Sequence, residues 1–196
     1  MRYPNRTLFF ILSVTIFANC LVAQSSNDKV KNLKQYYQVA FSTSDSIVYK
    51  TTLTKFFNEF PNSFDSYYSI YYWNEKKNVQ APLYDVSEQH LNLLLKYGDV
   101  NNILLIDKLC KLSINGRWEA DAINFLQNEL RNTIKHDLFS FSQTLNKYNE
   151  KQIVSLWKFY FDGPVPLKRI PKELNELKRY NNKMYKIMVL EFERKK

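Results

Sequence analysis

The sequence predicts an all-α protein: a single compact multi-helix domain of about eight helices, whose C-terminal segment reads as either a helix or a short strand. Three observations carry this. Only 3 Gly and 6 Pro occur in 196 residues, too few for a turn-rich β architecture. Apolar residues make up 45% and aromatics 16%, which supports a packed core and excludes intrinsic disorder. Apolar side chains also recur at spacings of three and four along most of the chain, the period of a helix with one buried face.

Residues 1–23 read as an export signal. Arg2 and Arg6 give a positive start, Leu8 to Val22 is largely apolar, and Ala23 offers a small residue at a cleavage point before Gln24. Ser13, Thr15, Asn19 and Cys20 dilute the run, so it is a poorer membrane span than a clean stretch of ~20 apolar residues. The expectation is a periplasmic or secreted protein, the alternatives being an uncleaved anchor or a lipid on Cys20. Residues 24–29 form a polar leader, and residues 30–196 form the helical domain.

Val30, Leu33, Tyr37 and Ala40 open the first helix. Ser44 is the expected cap of the second, with a stripe of Ile47 or Val48, Leu53, Phe56, Phe57 and Phe60, stopped by Pro61. A third helix runs from near Ser63 to Trp73, followed by a polar loop over residues 74–82. Asp85 is the expected cap of a helix carrying Val86, His90 or Leu91, Leu94 and Leu95, with Gly98 beyond its end. Asn101 or Asn102 opens the next, through Leu105, Leu109 and Leu112 to Asn115-Gly116. Trp118, Ala122, Phe125, Leu126, Leu130 and Thr133 mark a helix over residues 117–135. Asp137 starts a short one with Phe141 and Leu145, and Asn149 caps another with Ile153, Leu156, Trp157, Tyr160 and Phe161. Asp162 to Pro166 form a rigid loop. Pro171 suits the first turn of a last helix with Leu174, Leu177 and Met184, and Tyr185–Phe192 is the segment that reads either way.

Most catalytic chemistries lack their residues. His90 and His136 stand far apart and outside any metal-ligand spacing, so no metal site is expected. With three glycines there is neither a nucleophile elbow nor a phosphate-cradling loop, and no cofactor is implied. Cys110 adjoins an apolar helix face, which favours a buried thiol over a nucleophile paired with a histidine. Glu119 and Asp121 are the remaining acid pair. Asp121 would share a helix face with Trp118, either as an acid beside an indole or as a first-turn residue favoured by the helix dipole.

The net charge of +9 is uneven. Residues 24–167 carry 16 basic and 15 acidic side chains, whereas residues 168–196 carry 10 and 4. A near-neutral body with a basic end is not a general nucleic-acid binder. The basic segment suits either solvation or contact with an anionic surface such as lipid headgroups.

The densest aromatic run is Tyr67, Tyr68, Tyr71, Tyr72 and Trp73. Tyr67 and Tyr71 share one helix face, and Tyr68 and Tyr72 share another about 100° round. Either the helix is enclosed, or one face offers Tyr and Trp to a protein or a glycan. The candidate binding residues are these five together with the polar corners at Asn115, Trp118, Asp121 and Asp162. The expected function is that of a non-enzymatic binding protein.

Four stretches resemble those of a group of small exported helical bacterial proteins: Phe56–Pro61, Ala81–Asp85, Ser113–Ile123 and Phe161–Pro164. The resemblance spans roughly residues 50–166 and implies no activity. Some proteins of similar size and export route are immunity proteins that neutralise toxins. It therefore implies a toxin or another protein as partner, a glycan being the alternative.

Overall fold

A computed structural model describes residues 27–74, 78–165 and 167–195. The export signal, its alternatives and residues 24–26 of the polar leader lie outside the described residues. The protein is all-α, apart from one two-stranded hairpin among the described residues. Helix α1 covers residues 27–42, so the chain is already helical within the segment expected to be leader. The helices α2 (Ser46–Glu59), α3 (Phe64–Tyr71), α4 (Ser87–Leu95), α5 (Gly98–Ser113) and α6 (Ala122–His136) follow. After them come α7 (Leu138–Leu145), α8 (Glu150–Phe161), α9 (Leu177–Tyr180) and α10 (Asn182–Glu193). The described residues hold ten helices against about eight expected, and one of the added helices arises where the C-terminal segment breaks at Asn181, whose side chain accepts from Met184 N–H and starts α10 afresh.

The ambiguous segment Tyr185–Phe192 is helical. Its apparently all-round apolarity separates by face: Ile187, Met188 and Phe192 are buried, while Leu190 is 59% exposed.

Helix α5 is the centre. It packs against α3, α4, α6, α7 and α8, and buries Leu105, Ile106, Leu109, Cys110 and Leu112. Asn101 interrupts it with extended backbone, and its side chain accepts from Leu104 N–H at 3.0 Å, so the regular helix opens where the sequence placed it. Cys110 lies fully inside, where burial pushes its thiol well above the ordinary range.

Other ends differ from expectation. Asp45, not Ser44, caps α2 by accepting from Ile47 and Val48 N–H. Ile47 is 75% exposed and Val48 is also exposed, so the buried stripe begins at Leu53. Asp85 lies within a 3-10 turn, Tyr84–Val86, that precedes α4. Helix α6 starts at Ala122, five residues later than predicted. Residues 117–121 are therefore irregular, and Phe125 is partly exposed.

Candidate functional site

Ser63 accepts from Ser66 N–H and starts α3, which places Tyr67 and Tyr71 on the inner face. Both are fully buried, and burial raises both phenol pKa values above their ordinary range. Tyr67 Oη donates to the Ala122 carbonyl at 3.1 Å, and Tyr71 Oη is 3.0 Å from His90 Nδ1. These two residues are core, not binding surface.

On the second face Tyr68 is half-buried, whereas Tyr72 is buried, so Tyr72 too is core and not free binding surface. Helix α3 ends at Tyr71, two residues short of the expected Trp73. Trp73–Asn74 pairs antiparallel with Val79–Gln80, with Trp73 opposite Gln80. The resulting hairpin and α3 enclose a cavity of about 240 Å³ lined by Tyr68, Ser69, Tyr72, Trp73, Gln80 and Pro82 among others. The Tyr68 and Tyr72 rings lie 4.6 Å apart. Trp73 meets the Tyr84 ring edge-on at 6.2 Å.

The irregular segment 117–121 closes over this face. The Arg117 guanidinium stands 4.7 Å from the Tyr68 ring centroid and 3.1 Å from Glu119. Burial lowers the Arg117 pKa, but the bonds to Glu119 and Tyr68 more than offset this and raise it. Tyr72 Oη donates to Glu119 Oε2 at 3.3 Å, and Tyr84 Oη to Asp121 Oδ2 at 2.7 Å. The latter bond holds the Tyr84 phenol above its ordinary pKa.

Asp121 itself has φ 52° and ψ −122°, a left-handed conformation that a side chain rarely adopts. It is exposed, precedes α6 and shares no helix face with Trp118. The alternative of an acid beside an indole is therefore not formed, nor does the Asp121 side chain cap the helix.

Trp118 and Asp162 meet at the neighbouring corner. Trp118 N–H donates to Asp162 Oδ2 at 2.8 Å, and Lys195 donates to Oδ1 at 2.7 Å. Burial would raise the Asp162 pKa, but these two donors outweigh it and hold the carboxyl below its ordinary range. Asn115 adopts positive φ beyond α5, with its N–H on Ser155 Oγ at 2.7 Å, and serves to end the helix. Gly116 follows because no Cβ fits there: it would stand 2.7 Å from the Phe159 ring and 2.8 Å from the Ser113 carbonyl.

Of the nine residues singled out from sequence, Tyr68, Trp73 and Asp121 converge on one surface, and Tyr72 lies buried beneath it. Trp118 and Asp162 pair beside it, Asn115 is a helix stop, and Tyr67 and Tyr71 belong to the core. Arg117 and Tyr84 were missed as members of the site. No spacing rule links residue 84 to residue 121, although both fall in stretches that carry the resemblance.

Among the described residues, no three His, Cys, Asp or Glu side chains come together as metal ligands. No helix among them is long and apolar enough to cross a membrane. Comparison of the chain with protein-family models, with curated proteins and with solved structures finds no match in any of the three.

Proposed function

We propose that this is an exported, non-enzymatic binding protein that holds a protein partner against the surface formed by Tyr68, Trp73, Tyr84 and Arg117, in the manner of an immunity protein sequestering a toxin. The observation that carries the reading is the prearrangement of those side chains. Each is fixed by a ring contact, a hydrogen bond or a cation–π contact, and Tyr68 and Trp73 line the cavity of about 240 Å³. Tyr, Trp and Arg are the residues enriched at interface hot spots, and anchors already held in place lose little entropy on binding. The charged start and apolar run of residues 1–23 support export. The basic residues of 168–196 support a subsidiary contact with an anionic membrane surface.

The test is a pull-down from envelope extract with the tagged chain, washed at low and at high salt, beside the Tyr68→Ala/Trp73→Ala double variant. One stoichiometric partner is expected to survive high salt and to bind the variant more than tenfold more weakly, since losing hot-spot side chains costs ~2–4 kcal/mol. Equal retention by the variant overturns the assignment of this surface.

One observation favours a second reading, a glycan. Aromatic faces beside the Glu119 and Asp121 carboxylates match what a sugar ring stacks on and hydrogen-bonds to. Sedimentation with purified cell wall that the double variant loses, with no protein partner captured, would favour it.

A further inference from the structure

A separate cavity lies between α1, α2 and α4. It measures about 340 Å³, within the range of small-molecule sites, and shares no lining residue with the aromatic surface described above. Its walls are Tyr37, Ala40 and Phe41 from α1, Tyr49 from α2 and Leu93 from α4. The Tyr37 and Phe41 rings are nearly parallel, 16° apart with centroids at 6.1 Å, and supply aromatic wall surface. Behind Tyr37 stands the buried His90 ring at 4.9 Å, kept neutral at physiological pH first by burial and then by the Lys34 charge, so the imidazole itself puts no charge behind the cavity.

The polar lining is sparse and of one sign. Gln89 and Asn92 contribute amides, and Lys96 is the only charged residue, with no acidic side chain among the lining residues. Phe41 is 83% exposed at the mouth, beside the start of α2 where Ile47 is exposed as well. Aromatic walls favour a planar ring, a lone ammonium at the edge selects an anion, and two amides supply further hydrogen bonds to that anion.

We infer that the α1–α2–α4 cavity binds an aryl carboxylate, with the ring against Tyr37 and Phe41 and the carboxylate at Lys96. The inference is independent of the function proposed above.

Calorimetric titration of the full chain with 2-naphthoate, and with the neutral 2-naphthylmethanol, tests it. Saturable one-to-one binding of the naphthoate is expected. Lys96→Gln, at an exposed position, should weaken naphthoate at least tenfold and leave the neutral analogue unchanged. Phe41→Ala should weaken both at least fivefold. Absence of saturable binding, or a Lys96→Gln effect equal on the two probes, overturns the inference.

Discussion

His90 shows how one residue can carry a pH dependence. The ring is buried against Tyr37, Phe56 and Tyr71. Burial first, and the Lys34 charge second, lower its pKa from the ordinary 6.5 to about 4. In the unfolded chain the imidazole takes its proton near pH 6.5, whereas the folded chain resists it down to about 4. Across that window the unfolded state binds more protons, so stability falls as the pH drops through it and levels off below. Urea unfolding at pH 7.5 and 4.5 should show a loss of roughly 2–3 kcal/mol from this group alone. His90→Gln, which keeps an acceptor for Tyr71, should lack that part of the loss. An identical acid dependence in the variant would assign the effect to other groups.

At the scale of an element, α8 has its two ends made in different ways. Its N-terminus is local: Asn149 accepts from Gln152 N–H and the Gln152 side chain accepts from Asn149 N–H, each at 3.0 Å. Asn149→Ala should cost about 1 kcal/mol, the usual worth of a cap, measured as a lower urea midpoint with unchanged slope. An unchanged midpoint would mean that packing alone sets this end. The C-terminus is held from elsewhere in the chain. Arg131 on α6 donates to the Tyr160 carbonyl at 2.6 Å, and Gln127 donates to that of Asp162 at 2.9 Å. Helix α2 ends similarly, with Lys108 from α5 donating to the Phe60 carbonyl at 3.2 Å. A cation or amide at orphan carbonyls satisfies both hydrogen bonding and the helix dipole. The capping box is legible in four consecutive residues. The other ends are not, because their donors lie 29 to 48 residues away.

For the whole molecule, the C-terminal helix decides whether the core is closed. Helix α10 packs along α8 and buries Met184, Ile187, Met188 and Phe192, the last 5.3 Å from Phe161. Phe161 in turn stacks on the fully buried Trp157 at 5.9 Å. Deleting residues 182–196 should therefore open the aromatic core. The expected result is loss of the near-ultraviolet signal and of a cooperative melt, with retained helical signal and dye binding typical of exposed apolar surface. A cooperative melt at an unchanged temperature would show that α10 only decorates the fold.

The sequence by itself determined the all-α class, the places where Ser63, Asn101, Asp137 and Asn149 start helices, and the buried stripes of α5 and α8. All of these depend on contacts within four residues or on the period of the apolar pattern. Tertiary structure alone decided how far each aromatic residue of the Tyr67–Tyr72 run is covered. Tyr67, Tyr68, Tyr71 and Tyr72 look alike in the chain, and only packing encloses Tyr67, Tyr71 and Tyr72 while leaving Tyr68 half-buried. It also decided that residues 117–121 leave the helix to meet Tyr72 and Tyr84. Hydroxyl partners 47 and 37 residues away stabilise that departure, and no local rule of spacing registers so distant a hydrogen bond.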